Sequence, residues 1–304
     1  SIGLDVDFVQ QFWYGFLKIV PIILVTYLAG GIIEVIFAQI RKEEVNEGFF
    51  VTGMLIPLVL PADIPLWMVA VATAFAILIG KEAFGGTGMN IFNPALLARA
   101  FLFFAYPSKM TGDLIWVGGL SDATNVVDGF TGATPLSLAA TGHFEQIPAL
   151  YDLFLGIIPG SIGETSKLAI LLGAALMLIT GVGSWRIMLS VFAGGITMSL
   201  IFNALGLNSY MQVSPLSQIM MGGFMFGAVF MATDPVSAAQ TNKGKYIYGF
   251  LIGLFAIMIR VFNPAYPEGM MLAILLMNTF APLIDHYIIA SHIKKRLRRS
   301  KIKA

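Results

Sequence analysis

Phe92-Asn93-Pro94-Ala95 returns late in the chain as Phe262-Asn263-Pro264-Ala265. A second pair accompanies it. Gly48-Phe49-Phe50 opens one short apolar run, and Gly223-Phe224-Met225 opens another. Each short run is followed by a proline-marked break, at Pro61 and Pro65 in the first half and at Pro235 in the second. Either apolar composition alone has produced the likeness, or the chain is built from two related halves. The second reading predicts broken helices inside a membrane domain, an architecture whose functional sites lie where the breaks meet.

Composition places those halves in a bilayer. Of 304 residues 57% are hydrophobic and 12% charged, and mean hydropathy is +0.83, whereas soluble domains carry about 25% charged residues. The chain reads as an all-α integral membrane protein. Nine apolar runs stand out, at 12–38, 49–60, 66–80, 91–106, 168–182, 187–205, 219–231, 246–262 and 270–289. The run at 49–60 is too short to cross alone. The Phe and Met side chains, 24 and 16 in number, read as lipid-facing and packing surface rather than as an electron path. The net charge of +1 does not suggest nucleic acid as a partner.

Lysine and arginine set the orientation. With the basic tail in the cytoplasm, nine spans put thirteen Lys and Arg residues on the cytoplasmic side and only Lys109 and Lys167 outside. The run at 49–60 then points outward and the run at 219–231 inward, so the two halves are expected to be inverted repeats. The expected divisions are 1–106 as the first half-repeat, 107–165 as an extracytoplasmic segment, 166–293 as the second half-repeat, and 294–304 as a cytoplasmic tail. Ser1 in place of Met suggests a preceding piece, which would make ten spans in the intact protein.

Chemistry has few places to sit. There is no cysteine, so no disulfide, thiolate or cysteine-held iron–sulfur cluster belongs to this chain, and three scattered histidines suggest no metal centre. Gly85-Gly86-Thr87-Gly88 leads into Asn90, Asn93 and Pro94. Asn90 and Asn93 share a face on a helical turn, and two amides suit an aromatic ligand with mixed donors and acceptors, such as an isoalloxazine. A glycine-rich re-entrant turn with Asn caps explains the same residues. Thr233, Asp234 and Ser237 around Pro235 read as a cap or as oxygen ligands for Na⁺. Glu43 to Gly48 reads as a solvated loop before a helix. Lys18, Glu34, Arg99, Arg260 and Asp285 fall inside spans, where charges usually face protein or a cavity. An ion pair between Glu34 and Arg99 is expected, and Ser161-x-x-Glu164 has the spacing of a capping box opening the run at 168–182.

The long polar segment holds Asp128-Gly129-Phe130-Thr131-Gly132-Ala133-Thr134-Pro135. Thr134 before Pro135 reads as a helix start, with Pro at the first helical position. The same place, with free N–H groups and the positive dipole end, also suits a phosphate joined to the Thr134 hydroxyl.

Residues 128–134 resemble the D-G-x-S/T-G-A-T flavinylation motif of the membrane subunits of the Nqr and Rnf complexes. The segments 41–61, 81–107, 231–238 and 260–286 also resemble that family, so the likeness covers residues 10–300, with the Nqr member the nearer match. The resemblance implies a ten-helix fold of two inverted halves similar to urea and ammonium transporters. It implies FMN held by a phosphoester on Thr134, with Asp128, Gly129, Thr131, Gly132 and Ala133 as supporting motif, attached outside the cytoplasm by a flavin transferase. It further implies a non-covalent riboflavin, placed at Asn90, Asn93 and Pro94; quinone reduction, placed near Glu47 and Gly48; and Na⁺ export, with a path near Thr233 and Asp234. Implied partners are an FAD and iron–sulfur dehydrogenase subunit, two small membrane subunits sharing a cluster, and a second FMN-bearing subunit. The location implied is a bacterial inner membrane, with the C-terminus cytoplasmic and Thr134 extracytoplasmic. The Rnf counterpart, serving ferredoxin and NAD⁺, is the near alternative; a flavin-free solute channel is the distant one.

Overall fold

The computed structural model describes residues 8–112, 115–118, 132–263 and 268–302. Among them there are helices and no strands. Five helices are long and apolar enough to cross a membrane: α1 (Phe8–Arg41), α3 (Leu66–Gly80, extended by a 3₁₀ turn to Phe84), α8 (Trp185–Leu205), α11 (Asn242–Phe262) and α12 (Met270–Ile302). Three apolar helices are short: α2 (Gly48–Leu58), α4 (Pro94–Ala105) and α7 (Lys167–Ile179). At 11, 12 and 13 residues they extend only about 16–20 Å against a hydrocarbon core of about 30 Å. Between α4 and α7 lie two six-residue helices, α5 (Pro135–Ala140) and α6 (Leu150–Leu155).

The chain forms two compact units. One comprises residues 1–90, 94–134 and 159–163; the other comprises 91–93, 135–158 and 164–304. In the first unit α1 packs on α2 and α3, and α4 packs on α3 and α2. The short α2 ends inside this unit, so its last carbonyls need partners from outside the helix. The 159–163 segment supplies them: Ile162 N–H donates to Leu60 O (3.2 Å) and Gly163 N–H to Leu58 O (2.7 Å).

In the second unit α11 lies against α8 and α12. Gly249 and Gly253 on α11, four residues apart, let the α8 and α11 backbones approach closely. A Cβ on Gly253 would lie 2.6 Å from Gly195 N, and one on Gly249 would lie 2.7 Å from Ile187 O. Small residues at such crossings gain close backbone packing, the main source of helix association in lipid.

The run expected at 219–231 is not one helix. It is α9 (Pro215–Met220), a break at 221–223, α10 (Phe224–Phe226) and a π-helical turn, Gly227–Met231, in which Ala232 N–H reaches back to Gly227 O (2.7 Å). Gly222 adopts the left-handed region (φ +58°) that makes the break. The carbonyls freed there are met by two buried cations. Arg260 donates to Gln218 O and to Met221 O (3.0 Å), and also to Glu268 O (2.8 Å). Lys167 Nζ donates to Gly222 O (3.2 Å) and to Glu164 O (2.6 Å).

The in-span charges are engaged. Glu34 pairs with Lys81 at the end of α3, not with Arg99, because α1 sets Glu34 against the last turn of α3. Arg99 lies over the Trp116 ring, 5.8 Å from its centroid. Lys18 pairs with Asp63 at 2.5 Å. Asp285 accepts from Gln240 N (2.6 Å), Thr241 N (3.0 Å) and Thr241 Oγ1 (2.5 Å), fixing the start of α11. The capping box at Ser161 is also corrected. Ser166 caps α7, accepting from Ala169 N (3.3 Å), while Ser161 Oγ is buried without a hydrogen bond and Glu164 is buried beside Gly223.

Candidate functional site

Thr134 directly precedes α5 and is half-buried, with Pro135 buried at the first helical position. Pro cannot donate an N–H, and a helix start is the one helical place where that costs nothing. The far end of α5 is also fixed by its sequence. Gly142 (φ +84°) donates to Ala139 O (3.3 Å) and His143 N–H donates to Leu138 O (2.9 Å), the paired bonds of a Schellman motif. Leu136, Leu138 and Ala139 are buried and hold the helix down. Leu136 fills the space over Gly222, where a Cβ would meet Leu136 Cγ at 3.3 Å. Pro135 opens the 135–158 stretch of the second unit, and Thr134 ends the 94–134 stretch of the first. Within the motif, Gly132 is buried and Ala133 half-buried; Asp128, Gly129 and Thr131 lie outside the described residues.

Residues 90–94 occupy the start of α4. Asn90 and Asn93 are both buried, and Pro94 is the first residue of the helix. Asn93 N–H donates to Asn278 Oδ1 (3.1 Å) in the amide orientation that satisfies both ends of Asn278. In that orientation Asn278 Nδ2 donates to Ile274 O (3.2 Å) and meets the Tyr248 hydroxyl at 2.6 Å. Tyr248 and Asn278, both fully buried, are thus attached to the Asn93 loop, and nothing local in the sequence marks either of them.

Around Glu47 and Gly48 the first unit gathers charge. Glu47 is exposed at the start of α2, and Asn46 rather than Glu47 caps it, Oδ1 accepting from Gly48 N at 2.8 Å. Gly48 lies against Thr87, whose Cγ2 would be 2.9 Å from an added Cβ. Behind Gly48 the Lys81 ammonium sits 6.0 Å from the Phe49 ring centroid and pairs with Glu34. Arg41 pairs with Glu82 at 2.6 Å and donates to Glu82 O (2.6 Å). The ion pair is off the hydrogen-bond direction, and Glu82 Oε2 has no aligned donor. Gly86 (φ +96°) makes room for this pair, since a Cβ there would stand 2.5 Å from Arg41 Nη1. Four buried or half-buried charges therefore back the glycine-rich loop at 85–88. The sequence shows each of them and gives no hint of the pairing.

Thr233 and Asp234 follow the π-helical turn. Thr233 is buried and donates to Val229 O (2.5 Å). Asp234 accepts from Val236 N (3.3 Å) and Ser237 Oγ (2.5 Å), so its two oxygens close a turn. π-helical turns are rare and occur often at functional sites.

A sequence model described as the NQR2, RnfD, RnfE family matches residues 2–294. The chain is 53% identical over 294 residues to the Na(+)-translocating NADH-quinone reductase B-subunit of Chromohalobacter salexigens, covering 95% of this chain and 70% of that protein. It is 53% identical over 297 residues to the protein of that name from Ectopseudomonas mendocina, covering 96% and 72%. It is 52% identical over 286 residues to the one from Pseudomonas aeruginosa PAO1, covering 92% and 69%.

Proposed function

The chain belongs to the NQR2, RnfD, RnfE family, and we propose from that premise that it carries NADH-derived electrons through the membrane to quinone, coupled to Na⁺ export. It is a subunit of an oxidoreductase complex of the Na⁺-translocating NADH–quinone reductase kind. The observation that carries the finer reading is Thr134. It is the last residue of the D-G-x-S/T-G-A-T motif and stands half-exposed before Pro135.

A half-buried threonine fixed at the start of an anchored helix suits a phosphoester. Thr134 Oγ1 is the atom that would bond the phosphorus of FMN. FMN, when bound, supplies a centre that accepts and releases electrons one or two at a time. The backbone N–H of Asn93 is already given to Asn278, so any hold on a riboflavin by Asn93 comes from its side-chain amide. Asn90 offers a second buried amide, and Pro94 fixes the backbone beside it. Quinone approaches the first unit at Glu47 and Gly48, where the open start of α2 meets the Thr87 loop. The Na⁺ path passes Thr233 and Asp234 beside the π-helical turn. In this reading Thr134 faces the outside, the basic end of α12 faces the cytoplasm, and the two halves are inverted repeats in a bacterial inner membrane. The partners are the dehydrogenase subunit, the two small membrane subunits and the second FMN-bearing subunit.

The test is in-gel flavin fluorescence of the denatured protein made with its transferase. Thr134→Ala is expected to abolish the signal with the protein still inserted, and Thr131→Ala to retain it. A Thr134→Ala protein that stays fluorescent contradicts the assignment. The flavin-free channel predicts no signal in any variant. Quinone reduction by the assembled complex separates this reading from the Rnf counterpart.

A further inference from the structure

We propose that the second unit holds an anionic phospholipid in the groove between α8 and α11. The groove has a volume of about 430 Å³ and is walled by Leu189 and Ala193 from α8 and by Tyr246, Ile247 and Phe250 from α11. Its wall is apolar because the Ser190 hydroxyl is turned inward, 2.7 Å from Arg186 O, 3.0 Å from Ile187 O and 3.3 Å from Lys245 O. Leu189 (59% exposed) and Ile247 (46% exposed) present the groove to the surroundings of two helices long enough to cross a bilayer. An acyl chain suits such a wall.

One end of the groove is basic and aromatic. Arg186 lies one turn before Leu189, and Lys243 and Lys245 lie in the first turn of α11. The Trp185 and Tyr246 rings meet edge to face at 6.1 Å, and the Arg186 guanidinium sits 5.1 Å from the Trp185 ring centroid. This is the side-chain set found at the headgroup level of a bilayer. The Asp285 carboxylate reaches Gly244, and its oxygens accept from Gln240 and Thr241. Against that carboxylate, the three cations leave a net positive charge. Basic clusters between membrane helices hold anionic headgroups. A neutral lipid or a quinone tail would use the groove and leave the cations idle. Charge complementarity therefore selects the anionic lipid.

Native mass spectrometry of the purified full chain in detergent tests this, with dioleoyl phosphatidylglycerol and dioleoyl phosphatidylcholine as probes of equal chain length. Phosphatidylglycerol is expected to bind roughly tenfold tighter. Arg186→Gln/Lys243→Gln/Lys245→Gln is expected to erase that preference and leave the weaker phosphatidylcholine binding. Ala193→Phe, at an exposed position in the groove floor, is expected to weaken both lipids. Equal binding of the two lipids to the unaltered chain overturns the proposal. So does a preference that survives the triple charge variant, or a long-chain quinone that displaces phosphatidylglycerol at equal concentration. Lys243→Gln alone, at an exposed site, supplies a reading free of any folding defect and is expected to reduce the preference partway. None of these readouts depends on flavin.

Discussion

Arg260→Met tests how the broken helix of the second unit is held. Arg260 is fully buried, and three of its nitrogens serve three backbone carbonyls: those of Gln218, Met221 and Glu268. Its guanidinium also lies 5.6 Å from the Phe224 ring centroid. Met keeps most of the side-chain volume and removes every donor. A buried carbonyl stripped of its partner costs about 1–3 kcal/mol, and the loops at 218–222 and 268 relax to recover part of that. A net loss of roughly 3–5 kcal/mol follows, the range found when one partner of a buried charged network is removed. At roughly 2–4 °C per kcal/mol, the midpoint of heat denaturation in detergent should fall by on the order of 10 °C. Arg260→Lys should fall between the two, because one ammonium cannot span the three carbonyls that the planar fork reaches. The assay is size-exclusion chromatography after heating, with monodisperse yield read against temperature. An Arg260→Met protein that melts within about 2 °C of the unaltered chain would refute the claim that this side chain secures the break.

Gly253→Ala should cost about 1–3 kcal/mol, because its Cβ meets Gly195 N at 2.6 Å and forces α8 and α11 apart; Gly15→Ala, inside α1 with no atom within 4 Å, is the control and should leave the melting point unchanged or slightly raised in the same assay. Lys81→Met should destabilise by about 3–5 kcal/mol by stranding the buried Glu34 carboxylate, and Glu34→Leu/Lys81→Met should recover most of that loss on melting. Ser166→Ala should cost about 1 kcal/mol as a lost helix cap, whereas Ser161→Ala, which removes a hydroxyl buried without a partner, should be neutral or slightly stabilising by the same measure.

Much of the helical framework could be read in the chain. The apolar run at 66–80 coincides with α3 (Leu66–Gly80), and the run at 187–205 differs from α8 (Trp185–Leu205) by one turn or less. The short run at 49–60 proves to be the 11-residue α2. These elements are set by local apolarity and by Pro and Gly, which act over a few residues. What the chain could not show is pairing across distance. Glu34 and Lys81 are 47 positions apart, and only the packing of α1 on α3 chooses Lys81 over Arg99. The break at 221–223 is marked by Gly222 and Gly223, but its supporting cations come from positions 167 and 260. Ser161 has the right spacing for a capping box and the wrong place, because the chain enters α7 at Ser166. At the candidate site, Thr134 before Pro135 was legible as a helix start. The attachment of Tyr248 and Asn278 to the Asn93 loop was not, since α11 and α12 bring them there from far along the chain.

The most direct test is tandem mass spectrometry of the peptide that contains Thr131 and Thr134, from chain expressed with a flavin transferase of the same membrane. The expected result is an added mass of one FMN less one water, with fragment ions placing it on Thr134. A peptide that is unmodified under those conditions, or one whose added mass maps to Thr131, contradicts it.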